Sequence, residues 1–288
     1  MARSDRNIRI AFLLNLAFTL LEFAGGFFTN SLAIMADALH DLGDSFSLGL
    51  AWFLERIAQR KRSSLFSYGY KRFSLLSALI NAIVLILGSV LILLFAIPRL
   101  FEPQPVYSPG MLVLAVIGVV VNGIAALRVH GGQTMNEKMV AWHLAEDALG
   151  WVGVLLVSIL IYLFQLPVLD PLLSIGITLF ILINVIRNFR KTVIIFLQGV
   201  PPSIAVDMVE QELLKIPGVV GIHDTHIWSM DGEHHILTTH LVTEESSNYE
   251  QMRDIKCAAR ENVAELGISH ATIELEKGGE TCMLEEDW

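Results

Sequence analysis

Within the apolar run TNSLAIMADALHDLGDSFSLGLAWFL the chain sets Asp37, His40, Asp41 and Asp44 at separations of three, four and seven. On a helix such separations bring all four close to one stripe, so spacing alone leaves open which of them are used. Further along, WHLAEDALG repeats one part of the phrase: His143 and Asp147 stand four apart, as His40 and Asp44 do. Two helices presenting these pairs to each other would supply two imidazole nitrogens and two carboxylates around one point, a tetrahedral set that suits Zn²⁺. Hard ions such as Mg²⁺ prefer oxygen-rich octahedral shells, so the histidines argue against them, whereas Co²⁺, Fe²⁺ and Cd²⁺ compete with zinc. The plainer alternative is that each histidine pairs with its own aspartate or a polar neighbour and ties helices together. Two matched pairs favour the metal site. Asp37, Asp41 and Glu146 stay outside this ligand set, as groups around the ligands, cavity-lining charges or helix-end residues at the water interface.

The elements that must position these groups are long and apolar. The 288 residues are 53% hydrophobic, above the roughly 45–50% of ordinary soluble chains. A bilayer-spanning helix needs about 20 mostly apolar residues. Phe73–Ile97 and Met111–Leu127 carry no charge, nor do Trp151–Leu169, which runs on from a polar start at 140–147, and Pro171–Ile186. Ile10–Phe28 and Leu32–Leu54 are apolar but hold Glu22 and the Asp/His cluster. Six transmembrane helices are therefore expected, in an α-helical membrane protein. Ionisable groups at membrane depth are expensive and mark functional sites by default. MARSDRNIRI lacks a small-residue cleavage pattern, so no removable leader is expected.

Lys and Arg are retained on the cytoplasmic side of short loops. Arg3, Arg6 and Arg9 precede the first span, Arg56, Arg60, Lys61, Arg62, Lys71 and Arg72 lie between the second and third, and Arg128 and Lys138 between the fourth and fifth. The alternate loops hold only Arg99, and Arg187, Arg190 and Lys191 follow the sixth span. Both termini are expected in the cytoplasm.

After about residue 187 the chain turns soluble and acidic, with Pro201-Pro202 as the joint between a transport domain (1–200) and a cytosolic domain (201–288). A helical stretch, Ser203–Ile216, precedes two β-rich runs, VVGIHDTHIWSM and EHHILTTHLVT, joined by an Asp231-Gly232 turn. A helix, SNYEQMRDIKCAARENVAEL, and a third strand, HATIELEK, complete an α-β-β-α-β order, which predicts a small α+β, ferredoxin-like sandwich. Cys257 and Cys282 both fall here, where a disulfide framework is not expected. No Gly-rich phosphate loop or nucleotide fingerprint occurs, so ATP hydrolysis is not the expected drive, and no nucleic-acid partner is expected.

SLAIMADALHDLGDS, FSYGYKRFSLLSALINA, the second His-x-x-x-Asp, Asp170-Pro171 and IPGVVGIHDTHIWSM, taken in order, resemble the cation diffusion facilitators, and most closely their bacterial zinc-exporting members. The resemblance covers nearly the whole chain. It implies a homodimer in the bilayer, here a bacterial inner membrane, whose six-helix domains exchange Zn²⁺ for H⁺ with His40, Asp44, His143 and Asp147 as ligands. The residues give the exchange its chemistry. Metal and protons compete for the same unprotonated ligands, and histidines with a reference pKa of about 6.5 titrate near the pH of both compartments.

In the tail, His223, His240, Glu274 and Glu276 can gather at one end of the sheet, since alternation puts the two glutamates on one face. The family resemblance implies a metallochaperone-like domain that dimerises and binds zinc at matching positions, with Glu274 where relatives place a histidine or an acid. The open alternative is a polar, solvent-facing side of the sandwich. His226, His234 and His235 are expected at the surface or in turns. Some relatives also bind metal between spans two and three, but no His or Asp lies between Arg56 and Arg72, so that site is expected to be absent. An enzyme is not expected: His-Glu-x-x-His is missing, and four protein ligands would close the water position that a catalytic zinc keeps open. The remaining rival is a membrane-tethered metal sensor that transports nothing.

Overall fold

The structure is a computed structural model that describes residues 2–129 and 135–280; side chains are described from residue 16 onward, except at 48, 51, 128, 129 and 135–143. Cys282 lies outside the described residues, as does the His143 side chain. Among the described residues six long helices come first: α1 (Ala2–Thr29), α2 (Leu32–Ala58), α3 (Phe73–Phe101), α4 (Ser108–Val129), α5 (Met135–Phe164) and α6 (Leu169–Phe196). Four are long and apolar enough to cross a membrane: α3, Ser108–Leu127 of α4, Leu144–Phe164 of α5, and α6. This is a helical membrane domain. Of the other two expected spans, α2 carries Asp37, Asp41 and Asp44, more charge than that measure allows, and α1 has described side chains only over its apolar part, Leu16–Thr29. The C-terminal end of one expected span, Trp151–Leu169, is corrected. Its helix stops at Phe164, where Gln165 takes a left-handed φ of 53° and Pro167 follows, and α6 starts at Leu169.

Tertiary hydrogen bonds set where α2 begins. Asn30, between α1 and α2, adopts φ 57°, a left-handed turn that asparagine tolerates well. Arg99 donates to its backbone oxygen at 3.0 Å and to its Oδ1 at 2.9 Å, while Asn30 Nδ2 donates to the Pro105 carbonyl. The first N–H groups of a helix lack intrahelical partners, and Asp170 of α6 supplies them. Its fully buried carboxylate accepts from Ser31 Oγ (2.5 Å), Leu32 N (2.7 Å) and Ala33 N (3.3 Å), and Ser174 Oγ donates to the Leu32 carbonyl.

Glycines allow the helices to approach closely. A Cβ on Gly118 of α4 would fall 2.1 Å from the ring of Trp151 in α5, and one on Gly43 of α2 would fall 2.3 Å from Leu85 in α3. Trp151 is buried with Ala33, Ile34, Met111, Ala115, Val154 and Ile161, and Phe18 meets it edge-on at 6.1 Å.

By Cα packing the chain divides into two compact units, Met1–Phe53 with Ser77–Phe189, and Leu54–Leu76 with Arg190–Trp288. The second contains α7 (Val206–Leu214), β1 (Val219–Ser229), β2 (His235–Thr243), α8 (Tyr249–Glu265) and β3 (Ile268–Lys277), the expected α-β-β-α-β order. The sheet runs β1-β2-β3, antiparallel between β1 and β2 and parallel between β2 and β3. Alternation buries Ile227, Leu237, Leu241 and Ile273 against Val209 and Leu213 of α7 and Ile255, Ala259 and Val263 of α8. Asn248 caps α8 in a reciprocal box with Gln251. One histidine departs from expectation: His235, at the start of β2, is buried.

Candidate metal centres

One stripe of α2 carries the ionisable groups. His40 and Asp44, one turn apart, bring Nε2 and Oδ2 to 3.7 Å. That is too long for a hydrogen bond and close to the ligand–ligand edge of a tetrahedral site. Asp37 and Asp41, the next positions on the stripe, are both 6% exposed. Gly150 of α5 lies against the first of these: a Cβ there would be in ordinary contact, 3.4 Å from Asp37 Oδ1, so α5 meets the stripe just beyond Asp147. Asp147 in turn is a charged neighbour of Asp37 and Asp41. His40 also borders a small recess with Leu85, Ser89, Thr178 and Ile181, of about 10 Å³, room for about one water molecule.

Glu22 of α1 completes the group. It is fully buried, with Asp41, Asp37 and Asp147 as its charged neighbours. Carboxylates from α1, α2 and α5 therefore converge beside the His40–Asp44 pair. Such a concentration of negative charge among apolar helices is costly unless cations or protons neutralise it. Glu146, by contrast, is exposed. His143 stands on α5 one turn before Asp147, and its side chain is outside the described residues. The repeated spacing in the sequence picks out His40, Asp44, His143 and Asp147 and leaves Asp37 and Asp41 unassigned. Glu22 shows in the sequence only as a charge in an apolar run.

In the C-terminal unit the register sets His223 opposite His240, and His240 beside Glu274, with Glu276 two residues on. These side chains point away from the helices, because Ile222, Leu241 and Leu275 between them face the core. Glu276 bridges the histidines: Oε2 lies 3.0 Å from His223 Nε2 and Oε1 lies 2.6 Å from His240 Nδ1. His223, His240 and Glu276 each offer a ligand atom within 4.8 Å of the others, and they form the metal-capable group among the described residues. Their two imidazoles and one carboxylate fit zinc. Glu274 does not join them; it is 67% exposed and its Oε2 faces His240 Nε2 at 3.7 Å. His226 is exposed and pairs with Asp224, and His234 pairs with Asp231 in the hairpin turn, so these two follow expectation.

Carboxylates gathered inside apolar helices, and a His-His-Glu group on a small α+β unit, define a membrane protein built to handle metal cations. Comparison with known proteins makes this specific. Residues 8–197 match the family model described as cation efflux transmembrane domain, and residues 201–278 match that described as cation efflux protein, cytoplasmic domain. The chain is 35% identical over 271 residues to the cadmium, cobalt and zinc/H(+)-K(+) antiporter of Bacillus subtilis (strain 168), covering 93% of this chain and 87% of that one. It is 32% identical over 276 residues to the metal cation efflux system protein CzcD of Cupriavidus metallidurans, covering 95% and 87%. With the zinc transporter ZitB of Escherichia coli (strain K12) the identity is 31% over 276 residues, covering 94% and 87%. The chain belongs to the cation diffusion facilitator family, and its activity class is metal-cation efflux across a membrane.

Proposed function

We propose that the protein exports Zn²⁺ from the cytosol in exchange for H⁺, with His40, Asp44, His143 and Asp147 as the ligands of the transported ion. The observation that carries this reading is the convergence of Asp147 with the stripe of α2, beside a His40–Asp44 pair already at ligand spacing. Zinc favours two imidazoles with two carboxylates, and a proton on any of the four opposes its binding. Glu22, Asp37 and Asp41 add buried carboxylates beside this site, whose charge is offset by bound cations or protons. The full account has all six helices crossing a bacterial inner membrane with both termini in the cytoplasm, the C-terminal unit dimerising and binding zinc, and no catalysis. The names of the relatives, which include zinc transporters and a cadmium, cobalt and zinc/H(+)-K(+) antiporter, support zinc as substrate and H⁺ as a counter-ion.

A second reading, a membrane-tethered metal sensor, is favoured by the compact His223–His240–Glu276 group. Zinc flux into proteoliposomes separates the two. Asp147→Ala abolishes flux and His223→Ala only reduces it if the membrane site transports. Absent flux in the unaltered protein, with zinc held in a manner that His223→Ala removes, supports the sensor.

A further inference from the structure

The pairing of β1 with β2 is interrupted between His223 and His226, where the register shifts. Asp224, at this bulge, adopts φ 49°. A non-glycine residue rarely takes this conformation, and bulges of this kind redirect a side chain. Here the carboxylate is turned inward, 15% exposed. Its Oδ1 pairs with His226 Nε2 at 2.9 Å, and its Oδ2 lies 3.8 Å from His240 Nε2.

His240 thus has two different sides. Nδ1 meets Glu276, within the group that also holds His223, while Nε2 looks toward Asp224 and Glu274. An imidazole that ligates through Nδ1 must carry its proton on Nε2. Ligating histidines characteristically donate that second N–H to a carboxylate, which fixes the tautomer and the ring.

We propose that Asp224 is a positioning residue for the C-terminal metal site: anchored by His226, it receives the Nε2–H of His240 and so presents Nδ1 to an ion shared with His223 and Glu276. The 3.8 Å separation is one bridging water, or a small ring rotation, from a hydrogen bond. Glu274 is the weaker partner, since a longer and 67% exposed side chain holds no fixed position. The proposal rests on the reading that the His223–His240–Glu276 group binds zinc.

The test uses the full chain carrying Asp147→Ala, which removes the membrane site, with zinc affinity measured by competition against a chromophoric chelator. Metal-free thermal melting is recorded alongside. Asp224→Asn and Asp224→Gly both suit a left-handed backbone, so they remove the carboxylate without straining the bulge. Both are expected to weaken zinc binding by about 10- to 100-fold while metal-free melting stays put. Unchanged affinity in both variants overturns the proposal, as does a loss of affinity matched by a loss of metal-free stability. If His223→Ala leaves zinc binding by the parent chain untouched, the metal-site reading itself falls and takes the proposal with it.

Discussion

Replacing Asp170 with alanine removes the group that starts α2, and the cost can be worked from its bonds. The carboxylate accepts strongly from Ser31 Oγ and Leu32 N, at 2.5 and 2.7 Å, and weakly from Ala33 N at 3.3 Å, all with no solvent exposure. Removing it strands these donors in the interior, at about 1–3 kcal/mol for each good bond, and unmakes a helix cap. Two good bonds at about 1.5–2 kcal/mol each put Asp170→Ala at about 3–4 kcal/mol of destabilisation. Asp170→Asn keeps one carbonyl acceptor and should cost about half as much. Unfolding of the detergent-solubilised protein measures both, and zinc binding at the membrane site should weaken in parallel, because His40 and Asp44 ride on the helix that loses its anchor. An alanine variant within about 1 kcal/mol of the unaltered protein, or an asparagine variant as damaging as alanine, refutes the reasoning.

Gly118→Ala places a methyl 2.1 Å from the Trp151 ring and should destabilise the membrane domain by about 1–3 kcal/mol through overpacking, with a shift in tryptophan emission as its signature. In the hairpin turn, burial pushes the Asp231 carboxyl up, but the N–H groups of His234 and Glu233 and the His234 ring outweigh it and hold the group below its ordinary range. A carboxylate depressed in the folded state stabilises above its unfolded pKa of about 3.9, and that contribution is lost as pH falls through the lower folded value. Asp231→Asn should therefore lower the unfolding midpoint at about pH 6 and close the gap toward about pH 3, whereas a gap independent of pH contradicts the assignment.

The parts legible in the sequence were those whose signals are local. Period-two alternation in β1, β2 and β3 gave away both the sheet and the face on which His223, His240 and Glu276 meet. The repeated His-x-x-x-Asp pointed to α2 and α5 without any knowledge of their packing. What failed depended on tertiary contacts. Asp224 sits in an ordinary-looking alternating run, and only the bulge turns it toward His240. Asp170 could be recognised as a helix-opening acid, but its role as the cap of a different helix requires α6 to lie beside α2. The boundary between α5 and α6 was hidden because the turn at Gln165–Val168 is almost as apolar as the helices it joins.

The central claim is that one site on α2 and α5 alternates between zinc and protons. Zinc uptake and internal pH should be followed together in proteoliposomes holding the unaltered protein or Asp147→Asn. The account predicts zinc entry coupled to proton exit, accelerated by an opposing proton gradient, with both movements lost in the variant. Zinc entry at equal rates with and without the gradient, unaccompanied by proton movement, would contradict it.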